Sequence, residues 1–237
     1  MTKAYKVILF DLDNTLIDEI ECKRGALKAI CDEKNISYSE EILNKFLDFE
    51  FHFWKEYDNG KIVVPADIKL KGKHKEWVRA QRFIYTFDTN LDIAYELDII
   101  YAKNLSNSVK VIEHAEALLR HLYGKYFLCV ATNSESFSAK LKLKKANLLH
   151  YFDYVFCGED FYTSKPRKEF FKNLMDVIKF KDISKMMIVG DSLSTDIMGG
   201  INIGMDTYFF NPNGAIIPSD IKVTKEFKSL KELTYIL

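Results

Sequence analysis

Asp11 and Asp13 stand one residue apart, where the apolar run Val7-Ile8-Leu9-Phe10 gives way to polar residues. Side chains two residues apart on an extended backbone share a side, so both carboxylates can address one metal ion or one phosphoryl group. Asp and Asn also favour turns, and Asp11-Leu12-Asp13-Asn14-Thr15 taken alone is equally a solvated strand end. Three other apolar runs, however, end in polar groups of complementary chemistry. Thr132-Asn133-Ser134 follows Phe127-Leu128-Cys129-Val130-Ala131, Lys165-Pro166 follows the run at Tyr154, and Gly190-Asp191-Ser192-Leu193-Ser194-Thr195-Asp196 follows Met186-Met187-Ile188-Val189. Each group has an ordinary use as a helix cap or a surface lysine before a proline. Their joint appearance after successive strands is the signal.

Phosphoryl transfer needs positioning and charge neutralisation more than covalent invention by the protein. In that chemistry Asp11 is the candidate nucleophile. Asp13 is the candidate acid, protonating the leaving alkoxide and then taking a proton from water. Thr132, with Asn133 and the backbone donors beside it, would hold phosphoryl oxygens, and Lys165 would stabilise their charge. Asp11, a main-chain carbonyl of Asp13 and Asp191 form an oxygen ligand set suited to Mg²⁺. Asp196, five residues after Asp191, is a secondary candidate that supports Lys165 or the outer surroundings of the metal.

These groups converge only if their strands run parallel. From Phe127 onward strand-like and helical runs alternate: Tyr126–Ala131, Tyr154–Cys157, Met186–Val189 and Thr207–Phe210 read as strands, and Val111–Tyr123, Glu135–Asn147, Arg167–Lys179 and Thr195–Ile203 as helices. With Lys6–Phe10 this predicts five strands in an α/β, doubly wound, Rossmann-like parallel sheet whose carboxyl ends share one rim. Residues 18–105 read as helical, which divides the chain into a core of residues 1–17 and 106–237 and an inserted helical domain. Within the insertion, Ile42, Phe46, Phe49, Phe53, Trp54 and Tyr57 recur at helical spacing before the break Asp58-Asn59-Gly60. They predict a packed face, with Phe53, Trp54 or Tyr57 able to stack on a base if they face inward, toward a substrate. Lys69, Lys71, Lys73, His74 and Lys75 read as a solvated loop.

Lys+Arg and Asp+Glu both total 34, which removes the electrostatic footprint of a nucleic-acid polymer binder. The four cysteines form no C-x-x-C pair, and the sequence shows neither a signal peptide nor a long apolar span. The expectation is a cytoplasmic protein with no membrane partner.

In order and spacing, Asp11-Leu12-Asp13-Asn14-Thr15, Ala131-Thr132-Asn133, Ser164-Lys165-Pro166 and Val189-Gly190-Asp191-Ser192-Leu193-Ser194-Thr195-Asp196-Ile197 resemble the four motifs of haloacid dehalogenase-like hydrolases. The resemblance implies that family's five-stranded core, Mg²⁺ dependence and a phosphoaspartate on Asp11, and the insertion looks like the small helical cap of the family's first subclass. Weaker similarity around Trp54-x-x-Tyr57-x-x-Gly60 and Asp196-Ile197-Met198-Gly199-Gly200-Ile201-Asn202-x-Gly204 points to the pyrimidine 5′-nucleotidase branch. Glu113-His114 stands where many members have Pro-Gly, a departure confined to a turn.

The reading is a Mg²⁺-dependent phosphomonoester hydrolase acting on small soluble phosphates, with nucleoside 5′-monophosphates first. A phosphosugar mutase or sugar phosphatase of the same fold shares every core residue and stays open. A dehalogenase does not need Asp13 as an acid. A phospho-accepting receiver domain would be about half this length, and a catalytically silent metabolite-binding module would not need all four motifs.

Overall fold

The structure is a computed structural model that describes residues 4–58 and 60–237, the side chains of Lys55 and Asp58 excepted. Asn59, at the centre of the expected break Asp58-Asn59-Gly60, lies outside the described residues. The chain divides into two compact units, Met1–Glu19 with Val109–Leu237, and Ile20–Ser108.

The first unit is built on strands β1 (Val7–Phe10), β2 (Phe127–Thr132), β3 (Tyr154–Cys157), β4 (Met186–Gly190), β5 (Asp206–Phe210) and β6 (Lys225–Phe227). Their order is β3-β2-β1-β4-β5-β6, and every neighbouring pair is parallel. All four residues of β1 are buried, as a strand covered on both faces requires. It lies between β2 and β4, where the chain order reverses, and open α/β sheets bind ligands beyond the strand ends at such a point. The sheet has one strand more than the five expected. In β6 only Phe227 is buried while Lys225 and Glu226 are exposed, so no apolar run announces it. It forms because its backbone completes the edge of β5.

The second unit comprises α1 (Glu19–Glu33), whose first residue lies in the other unit, α2 (Glu40–Asp58), α3 (Ala66–Leu70), α4 (His74–Phe87) and α5 (Leu91–Asn104). Asp88 adopts a left-handed conformation that ends α4, and Asn90 caps α5 by accepting from Ile93 N–H at 3.0 Å. Phe46, Phe83 and Tyr101 meet at centroid distances of 5.4–5.8 Å in the centre of this unit. Over them lies Arg82, its guanidinium 4.4 Å from the Tyr101 ring centre and bonded to Glu50 at 2.9 Å and Asp98 at 3.1 Å. A buried cation needs such partners, since desolvation alone costs several kcal/mol, on the order of 5.

The packed-face reading of α2 holds for Phe46, which is fully buried, and for Phe53 and Tyr57, which pack against Val64, Ile68 and Val78. A base-stacking role for Phe53 or Tyr57 therefore loses its basis, because their rings are committed to helix packing. Trp54, at 36 % exposure, touches both rings edge-on. The lysine run is exposed as expected, but it is the end of α3, a turn at Gly72 with φ of 68°, and the start of α4.

The first unit also carries α6 (Ala115–Leu122), α7 (Ser136–Lys145), α8 (Lys168–Val177) and α9 (Met198–Ile203). The helix expected from Val111 starts only at Ala115, because Val111 bridges to Ile17 and His114 is left-handed. The helix expected from Thr195 begins earlier, in a π-helical turn, Leu193–Ile197, that runs into α9. Phe170, Phe171, Leu174 and Met175 form one stripe of α8 and pack on Val7, Leu9, Cys129, Ala131, Met186 and Ile188. All four cysteines are buried, and none is joined in a disulfide among the described residues. Among the described residues no helix is long and apolar enough to cross a membrane.

Phe170 is fully buried, with ring centres of Phe156 and Phe171 at 5.0 and 5.1 Å. Phe170→Ala is expected to remove about 3–5 kcal/mol of stability. Urea denaturation checks it, and a loss below about 1 kcal/mol would contradict the packing described.

Candidate active site

The rim is assembled by main-chain bonds before any side chain acts. Asp11 N–H donates to Val189 O at 2.9 Å, carrying the ladder between β1 and β4 one residue past the strand. The chain then turns through Asn14, which has φ of 61°, with Ile17 N–H returning to Leu12 O at 3.0 Å. Asn tolerates this left-handed conformation better than most residues, which explains its place after the second aspartate. Asn14 Oδ1 also accepts from Glu19 N–H at 3.2 Å, tying down the end of the turn.

Lys165 reaches the rim from the loop after β3. Asn133 clasps its main chain twice: Asn133 Oδ1 accepts from Lys165 N–H at 2.8 Å, and Asn133 Nδ2 donates to Lys165 O at 3.1 Å. Expected as a phosphate contact, the Asn133 side chain is thus engaged in positioning Lys165. The lysine ammonium donates to Asp11 Oδ1 at 2.5 Å and Asp196 Oδ1 at 2.6 Å, with all three groups buried. Asp196 Oδ2 accepts from Ser192 N–H at 3.1 Å. Gly190 makes room for it, since a Cβ there would collide with the Asp196 carboxylate. Asp191 Oδ1 accepts from the Thr15 hydroxyl at 3.1 Å.

Asp11, Asp191 and Asp196 bring carboxylate oxygens within 4.8 Å of one another. Burial pushes Asp11 well above the ordinary carboxylate range, with Asp196 and Asp191 adding to it against the pull of Lys165. Burial, then the charge of Asp196, raises Asp191 to about 7. Lys165 stays protonated: burial works against its charge, but Asp11 and Asp196 more than offset it and hold its pKa above the usual lysine range. One ammonium cannot balance three carboxylates, so the donor set suits a divalent cation with oxygen ligands. Both oxygens of Asp196 already have protein donors, the Lys165 ammonium and the Ser192 N–H, which suits it to a place outside the direct contacts of such a cation.

Asp13 stands apart from this cluster. Its Oδ1 accepts from the Lys142 ammonium at 2.6 Å, and its Oδ2 is bonded by the Ser134 hydroxyl. Its side chain is therefore not among the clustered carboxylates. Thr132, buried at the end of β2, accepts from Ser134 N–H at 3.0 Å, so its hydroxyl proton remains for donation.

Sequence reasoning missed Lys142 and the side-chain roles of Ser134, Thr15 and Gly190. Lys142 carried a signal: it lies with Ala139 and Leu143 on the buried face of α7, where helical spacing calls for an apolar residue. The other three look like turn and cap residues until the strands are assembled.

The sequence pattern of haloacid dehalogenase-like hydrolases matches residues 8–210. HAD-hydrolase YfnB of Bacillus subtilis is 27% identical over 99% of this chain and 96% of its own. Its crystal structure bound to magnesium superposes with a TM-score of 0.88, covering 99% of both chains. Pyrimidine 5′-nucleotidase PynA of Streptococcus pneumoniae is 28% identical, covering 97% of this chain and 93% of that protein. Pyrimidine 5′-nucleotidase YjjG of Escherichia coli is 26% identical, covering 97% and 96%.

Asp191→Asn is expected to weaken Mg²⁺ binding by about tenfold or more, whereas Asp13→Asn, whose side chain is turned to Lys142 and Ser134, leaves it within about threefold. Calorimetric titration of both variants checks the assignment. Equal losses in the two would remove it.

Proposed function

We propose, from the premise that the chain belongs to the haloacid dehalogenase-like hydrolase family, that it hydrolyses small soluble phosphomonoesters through a phosphoaspartate on Asp11. It is a hydrolase of phosphoric monoesters. The observation that carries the finer reading is the buried Lys165 bridge between Asp11 and Asp196, with a separately held carboxyl, Asp13, two residues after the nucleophile.

In the first half-reaction a carboxylate oxygen of Asp11 attacks phosphorus, and the ester P–O bond breaks as the leaving oxygen takes a proton from Asp13. In the second, water gives a proton to Asp13 and attacks phosphorus, and the bond to Asp11 breaks to release inorganic phosphate. Thr132 donates its hydroxyl proton to a phosphoryl oxygen. Lys165 offsets the phosphoryl charge and keeps Asp11 aimed by its 2.5 Å bond. Mg²⁺ held by Asp11, Asp191 and the Asp13 carbonyl would supply the neutralisation that lets an anionic carboxylate approach an anionic ester.

Pyrimidine nucleoside monophosphates head the candidate substrates. The support is the likeness, at 28% and 26% identity over nearly whole chains, to two proteins named pyrimidine 5′-nucleotidases. The balance of 34 basic against 34 acidic residues gives no support to a nucleic-acid polymer as substrate.

Chelation is expected to abolish turnover of a generic aryl phosphate and added Mg²⁺ to restore it. Asp11→Asn should lower kcat by about 10³-fold or more, and full activity in that variant, once contaminating phosphatase is excluded, would sink the covalent mechanism. A panel of nucleotides, sugar phosphates and small carboxylated phosphates, ranked by kcat/KM, tests the substrate. Sugar phosphates ahead of every nucleotide by about tenfold, or about 1.4 kcal/mol, would reverse the ranking. Phosphate isomerisation without release would indicate a mutase.

A further inference from the structure

Lys142 is 1 % exposed, and its ammonium sits 2.6 Å from Asp13 Oδ1. Burying that charge is costly unless it is paired and hydrogen-bonded, and the Asp13 carboxylate supplies such a partner. Lys142 is carried on α7, which starts two residues after Ser134, so one short segment delivers both side chains that grip Asp13. Ser134 is in turn fixed by its N–H bond to Thr132 Oγ1 at 3.0 Å. The two oxygens of Asp13 thus have different neighbours. An ammonium has three donors and no acceptor, whereas a hydroxyl both donates and accepts.

We infer that Lys142 is the positioning residue for proton transfer by Asp13, holding Oδ1 so that Oδ2, beside Ser134, is the oxygen that carries the proton. The inference rests on the phosphomonoesterase reading and on Asp13 as the proton donor. Oδ1, facing an ammonium, has no acceptor for a proton there. Ser134 can donate to Oδ2 when it is ionised and accept from it when it is protonated, so the clasp survives both halves of the cycle. With Lys142 gone the carboxyl can rotate, and an acid that must meet a leaving oxygen within hydrogen-bond reach loses its aim.

An acid matters most when the leaving group is poor. The test is therefore kcat/KM on two substrates at one pH: 2,4-dinitrophenyl phosphate, whose leaving group departs without a proton, and an alkyl phosphate, whose leaving group does not. Asp13→Asn sets the scale. Lys142→Met is expected to lower kcat/KM for the alkyl ester about tenfold more than for the dinitrophenyl ester, and Lys142→Arg to recover most of the difference. Ser134→Ala should show the same selectivity at about threefold, which keeps the test alive if Lys142→Met fails to fold. Thermal unfolding and Mg²⁺ affinity, both expected near the parent values for Lys142→Arg, separate aim from folding. If Asp13→Asn discriminates between the esters but Lys142→Met, Lys142→Arg and Ser134→Ala lower both equally, the positioning role is wrong while the acid role of Asp13 stands. If Asp13→Asn itself does not discriminate, the acid role fails and the inference falls with it.

Discussion

Three carboxylates and one ammonium share a buried volume at the end of β1, and the arrangement of the rim follows from that imbalance. A buried anion is tolerated only with donors around it. Asp196 is fully buried and takes both the Lys165 ammonium and the Ser192 N–H; Asp191 takes the Thr15 hydroxyl. These bonds explain choices that look incidental in isolation. Gly190 lacks a Cβ because the Asp196 carboxylate lies where one would be. Asn133 grips the backbone of Lys165 with both ends of its amide, because an ammonium wedged between two acids must enter at a set height.

The same physics separates two aspartates that stand only one residue apart. Asp11 faces a lysine from the loop after β3 and two further acids, while Asp13 faces a lysine from α7 and a serine hydroxyl. Different surroundings suit chemically identical side chains to different work, which in the proposed mechanism is that of a nucleophile for Asp11 and a proton carrier for Asp13. The strand geometry makes this affordable in sequence terms: one short run supplies both groups, and separate elements supply their partners.

The second unit solves a burial problem of its own. Arg82 lies over Tyr101 and between Glu50 and Asp98, while Lys23 joins Glu50 at 2.8 Å and Arg79 joins Asp98 at 2.9 Å. This network links α1, α2, α4 and α5 with directional bonds, in addition to their aromatic contacts. Phe46, Phe53 and Tyr57 of α2 are engaged in packing within the unit, whereas Phe51 and Trp54 are exposed.

The residue types and spacing determined the class of chemistry and the sheet that presents it. Apolar runs of four to six residues ending in Asp11, Thr132 and Gly190 specify parallel strands with reactive ends. A strand such as β6 is not legible, since two of its three residues are charged and exposed and only the free edge of β5 calls it into the sheet. Which partner each acid takes was likewise undetermined, because Lys142 is 129 residues from Asp13 and Lys165 is 154 from Asp11. Sequence separation of that size carries no distance information; strand order and helix placement do. Tertiary structure alone decided that Asn133 serves Lys165, that Asp13 is gripped at both oxygens, and that Phe53 and Tyr57 pack against Val64, Ile68 and Val78. In each case the deciding quantity is how many competing partners lie within hydrogen-bond or van der Waals reach, and only the folded chain sets that number.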